Sequence, residues 1–313
     1  MNRIDFEPSY LKIKKEELKK RCEELWKILE KCHLCPRDCG VNRLKGEIGF
    51  CKATGTKILI SSYFPHFGEE RGLVGKGGSG TIFFTYCNLR CIFCQNWEIS
   101  HLGHGYGVTI NQLADIMLEL QKRGCHNINF VTPTHYSPFI LKAIDIAADK
   151  GLILPIVYNT SGWEKVEILK FFDGVVDIYL PDFKYWDSKI AKKYSPGAEN
   201  YPEITKKAII EMNRQVGVAK PAKDGIIYRG LMIRHLVMPN NVSGSEEILK
   251  WIAENLPKDT YINIMPQYTP HYKAFDYPEI ARRLNLKEYR DIVEMAKELG
   301  FTNLDIRAYF NIE

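Results

Sequence analysis

Cys87, Cys91 and Cys94 stand at C-x3-C-x2-C spacing directly after the apolar run Thr81-Ile82-Phe83-Phe84-Thr85-Tyr86. The run reads as a buried β-strand, which sets the three thiols together just past a strand end. Three thiolates are one short of the four that close a [4Fe–4S] cluster, so one iron is left to take another ligand. Two plainer readings are a zinc site short of a ligand and a group of buried thiols. A zinc site of this type pairs two C-x2-C knuckles, whereas Cys125 is the one cysteine that follows Cys94.

The spacing, with Phe93 just before the last cysteine, resembles the radical SAM superfamily. The resemblance runs from about Gly78 to Tyr272. It implies that S-adenosylmethionine (SAM) chelates the open iron through its amino and carboxylate groups. It also implies that one electron from the cluster splits SAM into methionine and a 5′-deoxyadenosyl radical, which takes hydrogen from a substrate. Phe93 then lies near the adenine.

The chain has 313 residues, enough for one large α/β domain and a small appendage. Alternating patterns predict strands near 81–86, 128–132, 153–158, 175–181, 231–237 and 260–265. Helices are expected near 110–123, 138–149, 163–172, 186–194, 201–216, 245–255 and 287–299, with Gly124, Gly151 and Gly300 at helix ends. Repeated β–α units imply parallel strands with helices outside. Six units resemble the partial (β/α)6 TIM-like barrel of radical SAM enzymes, whose sites gather at C-terminal strand ends. Residues 76–313 form this core, including a C-terminal helical extension. Residues 1–75 form an N-terminal module, in which Ser9 caps a helix from 9 to 31 and a strand follows near 57–63.

Polar residues after each strand are the candidates for SAM. Strand two ends in Thr132-Pro133-Thr134-His135, where the family usually has Gly-Gly-Glu. Backbone atoms there, with the Thr132 and Thr134 hydroxyls, can still serve, and His135 is either a substrate-side group or a loop histidine. Strand three ends in Asn159-Thr160-Ser161-Gly162 and strand four in Pro181-Asp182-Phe183-Lys184. Both segments resemble the pyruvate formate-lyase activating enzymes. That likeness implies SAM contacts from Asn159, Thr160, Asp182 and Lys184, and a monovalent cation beside the SAM carboxylate. Asn159 replaces an Asp of that pattern, which removes one charge from the cation site. A surface ion pair is the plainer reading of Asp182 and Lys184. Arg234 sits in an apolar strand and needs a partner, while His235 points the other way. The strand-six end resembles the same activating enzymes, which implies that Gln267 and His271 fall at the mouth of the barrel.

Cys32, Cys35, Cys39 and Cys51 give a second group, C-x2-C-x3-C-x11-C, ringed by Gly40, Gly46 and Gly49. Four thiolates make a closed site, either zinc that staples a small module or an auxiliary [4Fe–4S] cluster. Seven of nine cysteines in two tight groups read as metal ligands in a reducing compartment, an anaerobic cytoplasm. Met1–Asp5 has no signal-peptide character, and no apolar run is long enough to cross a membrane. A net charge of +5, from 43 basic and 38 acidic residues, argues weakly for nucleic acid.

The expected partners are a one-electron donor such as flavodoxin or ferredoxin and a substrate. The substrate is a protein glycine, as in activation of a glycyl-radical enzyme, or else a small molecule or another peptide. A reading of a different class is a non-catalytic module that holds SAM and metal.

Overall fold

The computed structural model describes residues 6–306. Met1–Asp5 therefore lies outside the described residues. Nine strands form one sheet: β1 (Ile58–His66), β2 (Ser79–Phe84), β3 (Tyr106–Val108), β4 (Ile128–Val131), β5 (Ile156–Thr160), β6 (Ile178–Pro181), β7 (Gly230–Leu236), β8 (Tyr261–Met265) and β9 (Leu304–Ile306). Their order is β3-β1-β2-β4-β5-β6-β7-β8-β9. From β2 through β9 every neighbouring pair is parallel, while β1 runs antiparallel to both β2 and β3. Helices cross over between the parallel strands, giving the expected α/β partial barrel.

The sequence explains this arrangement. Strands covered on both faces need nearly continuous apolar runs. β6 (Ile-Tyr-Leu-Pro) and β8 (Tyr-Ile-Asn-Ile-Met) are such runs, and every residue in them is buried. The helix Ile110–Lys122 starts at a capping box between Thr109 and Gln112 and buries Leu113, Ala114, Ile116, Met117 and Leu120. Gly124, Gly151 and Gly300 follow helix ends with φ of 86°, 94° and 83°, where a side chain would be strained.

Three expectations are corrected. The helix from 9 to 31 is a 3-10 turn (Ser9–Lys12), an α-helix (Lys15–Lys27) and a second 3-10 turn (Ile28–Lys31). Ser9 is not its cap: its N–H donates to the buried Asp177 carboxylate at 2.9 Å, which ties the segment to the barrel. The helix expected over 163–172 shrinks to Val166–Leu169 and a 3-10 turn, because Trp163 and Glu164 are drawn into the core. Finally, β9 adds a seventh parallel strand, and β3 adds a short antiparallel edge. Both have three residues, too short for a periodic signal.

Candidate functional site

Every strand end that the sequence singled out opens into one cavity of about 360 Å³. Cys87, Cys91 and Cys94 line it from the loop after β2. Phe93, Thr132, Asn159, Thr160, Asp182, Lys184, Arg234, Gln267 and His271 line it as well. The cysteine loop is bent by left-handed backbone at Tyr86 (φ 66°) and Arg90 (φ 53°). Thr132 is also left-handed (φ 61°), costly for a β-branched residue. Its N–H donates to the Asn159 carbonyl at 2.8 Å, which holds the strained turn.

The three sulfurs each receive a hydrogen bond. Ser100 Oγ donates to Cys94 Sγ at 3.1 Å, Ser195 Oγ to Cys91 Sγ at 3.2 Å, and the Leu89 N–H to Cys87 Sγ at 3.4 Å. Burial pushes the Cys87 thiol up to about 12 and raises that of Cys94. Donors aimed at the three sulfurs suit thiolates that a metal stabilises. The three cysteines thus fit a [4Fe–4S] cluster bound through three of its irons.

A charged network faces them. Asp182 is bonded by Arg234 Nε at 2.8 Å on one oxygen and by Lys184 Nζ at 2.7 Å on the other. Arg234 Nη2 also donates to Asn159 Oδ1 at 2.6 Å. Burial acts to raise the Asp182 carboxyl, but Arg234 and Lys184 together hold it below its usual value. Lys184 is raised: burial lowers it, and Asp182 and Cys91 more than offset that. Both Asp182 oxygens and the Asn159 side-chain oxygen are engaged by cationic side chains. Thr160 Oγ1 is turned to Glu164. The positive ends of Lys184 and Arg234 are what this wall presents to an anionic group.

Other expected residues sit elsewhere. Thr134 points away from the cavity and donates to Glu164 Oε1 at 2.5 Å. His135 is buried against the cysteine knuckle, with Nε2 on the Thr85 carbonyl at 2.8 Å, and burial pushes it down to about 3. It is a structural histidine. His235 points outward as alternation requires, bridging the Phe183 carbonyl and Ser245 Oγ.

Several site residues carried no sequence signal. Ser100 and Ser195 reach the cysteines from separate loops. His66 and Glu69 enter the cavity from β1 and the loop beyond it, outside the β–α repeats. Glu164 is fully buried, takes hydrogen bonds from Thr134 and Thr160, and is pushed up to about 7 by burial. It anchors Thr160 from behind. The Trp-Glu pair in an expected helix was the available hint.

The second cysteine group surrounds a small cavity of about 10 Å³ lined by Cys32, Cys35, Cys39 and Cys51. Gly49 has little room there, since a Cβ would stand 3.0 Å from Cys39 Sγ. Among the described residues no helix is long and apolar enough to cross a membrane.

Comparisons with known proteins agree with this site. The sequence profile of the radical SAM superfamily matches residues 81–229, which span the cysteine loop and the β4, β5 and β6 ends. An uncharacterized protein of Methanocaldococcus jannaschii is 35% identical over 289 residues, covering 89% of this chain and 77% of its own length. The pyruvate formate-lyase-activating enzyme of Clostridium pasteurianum is 24% identical over 246 residues, covering 74% of this chain and 92% of its own. Among solved structures, the fold is similar to a radical SAM methyltransferase from Sphaerobacter thermophilus, with TM-score 0.52 and 14% identity. That match covers 72% of this chain, which spans 65% of the methyltransferase. Three cysteines past the first parallel strand, facing a SAM-sized cavity ringed by strand-end polar groups, place the chain in the radical SAM superfamily, with a [4Fe–4S] cluster and SAM as its cofactors.

Proposed function

We propose that the chain cleaves SAM reductively and uses the resulting radical on a glycine of a partner protein. The observation that carries the chemistry is the shared cavity: three cysteine sulfurs and the Lys184–Asp182–Arg234 network face the same space. When bound, the cluster supplies one electron to the SAM sulfonium, whose C5′–S bond breaks to give methionine and a 5′-deoxyadenosyl radical.

The chain's own residues prepare that event. Cys87, Cys91 and Cys94 would hold the cluster. The Ser100 and Ser195 hydroxyls donate to two of the sulfurs, and such bonds tune cluster potential. Lys184 and Arg234, fixed by Asp182, offer donors to the SAM carboxylate. The Phe93 ring is held edge-on by Tyr185, Tyr194 and Tyr268 at 5.9–6.3 Å, a rigid apolar wall for adenine. Phe84, Leu236 and Met265 line the cavity and exclude water from the radical.

The glycine substrate is supported by likeness to the activating enzyme and by the Asn159-Thr160 and Asp182-Lys184 strand ends. A flavodoxin- or ferredoxin-type protein would supply the electron. The test is anaerobic reconstitution with iron and sulfide, then dithionite and SAM. Wild type should release 5′-deoxyadenosine, and Cys91→Ala should release none; equal release from both would overturn the mechanism. With a glycyl-radical enzyme from the same source, a glycyl EPR doublet is expected. Its absence alongside active SAM cleavage would move the substrate to a small molecule or another peptide. Protein that binds cluster and SAM yet never cleaves SAM would be a binding module instead.

A further inference from the structure

The Cys91 sulfur lies at the end of a row of two buried hydroxyls. Ser195 Oγ stands 3.2 Å from Cys91 Sγ, and Tyr185 Oη stands 2.9 Å from Ser195 Oγ. Both side chains are wholly shielded from solvent. The hydrogens available set the direction of the row. A metal-bound thiolate has no hydrogen, so Ser195 must spend its single hydroxyl hydrogen on Cys91. The Tyr185 hydroxyl is then left to donate to Ser195 Oγ. Successive donors polarise one another, and a dry, low-dielectric surround strengthens the effect.

The other two sulfurs are served differently. Cys87 takes the backbone N–H of Leu89 at 3.4 Å. Ser100 Oγ, which reaches Cys94, also lies 2.9 Å from His101 Nδ1, so a half-buried imidazole competes for it.

The fold fixes Tyr185 and Ser195 from both sides. Ser195 ends the helix Ser188–Tyr194, and its N–H donates to the Ala191 carbonyl at 2.8 Å. The Tyr194 carbonyl next to it takes the Ile92 N–H at 2.9 Å, which ties this helix end to the cysteine loop beside Cys91. Tyr185 follows Lys184 past the β6 end, and its ring packs edge-on against Phe93 at 6.2 Å and Tyr201 at 5.2 Å. Tyr201 Oη in turn accepts the Lys184 N–H at 2.9 Å. A phenylalanine would fill the place of Tyr185 with no buried hydroxyl to satisfy. Packing therefore accounts for the ring, and Ser195 for the hydroxyl.

We propose that Tyr185 is a positioning residue for the barrel cluster: acting through Ser195, it strengthens the hydrogen bond on Cys91 and raises the cluster's reduction potential. When one electron arrives from the donor protein, negative charge grows on the sulfurs, and donors aimed at them favour that reduced state. Both hydroxyl protons stay on their oxygens. The inference rests on the cluster at Cys87, Cys91 and Cys94 and not on the choice of substrate.

The test is a potentiometric titration of the full chain, reconstituted anaerobically with iron and sulfide. It follows the EPR signal that added SAM perturbs, which keeps any metal at the Cys32–Cys51 knuckle out of the reading. Ser195→Ala should make the cluster about tenfold harder to reduce, a shift of about 59 mV to more negative potential. Tyr185→Phe should shift it in the same direction by less, with the iron content unchanged. In a Ser195→Ala background, Tyr185→Phe should add nothing, because its route to the sulfur is gone. A Tyr185→Phe potential equal to that of wild type would overturn the proposal, and so would the same shift in both backgrounds. Iron lost from Tyr185→Phe, with the remaining cluster at the wild-type potential, would make Tyr185 a packing residue and overturn it too. A wild-type cluster that titrates as expected but never cleaves SAM would instead count against the function proposed for the barrel.

Discussion

Asp182 balances two buried cations, and that sets the cost of changing it. Asp182→Asn keeps the shape but leaves Arg234 and Lys184 facing a neutral amide. Breaking a buried pair in this way costs about 3–5 kcal/mol. Urea unfolding of the reconstituted variant should show a loss on that scale, with weaker SAM binding. Stability within about 1 kcal/mol of wild type would mean the network is solvated rather than buried. Glu164 gives a second test at this scale, with a definite sign. Its folded-state value, about 7, lies above its ordinary 4.5. The folded state therefore holds the proton more tightly, and its contribution is full below pH 4.5 and lost as pH rises through 7. Glu164→Gln should flatten that part of the stability–pH curve, a difference of roughly 3 kcal/mol across the window. Parallel curves for the two proteins would show that Glu164 is charged in the native state. The residue scale also shows where the sequence is readable. Cysteines and strand-end polar groups announce themselves through spacing. Ser195 meets Cys91 across 104 residues, and nothing local marks it.

At the scale of elements, long apolar strands and capped helices were legible because each has a period and a boundary residue. The six β–α units emerge from such signals alone. The helix expected over 163–172 fails for a tertiary reason. Trp163 fills the core and donates from its indole to Asn200 Oδ1, while Glu164 is drawn back to the β5 end. Burial of two large groups outweighs helix propensity there. The turn that permits this is Gly162, at φ 80°, where a Cβ would stand 2.1 Å from the Asp182 carbonyl oxygen. The β5 and β6 ends touch at this point, so Gly162→Ala must push Asp182 away from Arg234. The variant should lose at least about 2 kcal/mol in urea unfolding, and SAM affinity with it. Unchanged affinity would show that the two strand ends move independently.

Across the whole molecule, two parts with different sources of stability meet at one loop. The barrel buries Ile, Leu, Tyr and Phe side chains from nearly every strand in one core, which the knuckle joins at its edge through Cys32, Leu34 and Cys51. The knuckle, by contrast, turns few apolar side chains toward its cavity, Leu34 and Val41 among them. Its backbone bonds are few and local, such as Cys32 N–H to the Val41 carbonyl and Gly40 N–H to that of Cys32. The order of such a module depends on its ligated metal. Arg43 strengthens that dependence: it is buried with its guanidinium on the His135 and Thr54 carbonyls, and metal removal strips it of a counter-charge. Metal chelation should therefore act unevenly. Hydrogen exchange should rise sharply over residues 32–51 and over the Cys87–Cys94 loop to which Arg37 is bonded. Amides of β5, β6 and β8 should keep their protection, since their partners are neighbouring strands of the barrel. A rise spread evenly over the chain would mean that knuckle and barrel unfold as one unit. Protection unchanged over 32–51 would mean that the knuckle folds without metal, which its four cysteines and its buried Arg43 argue against.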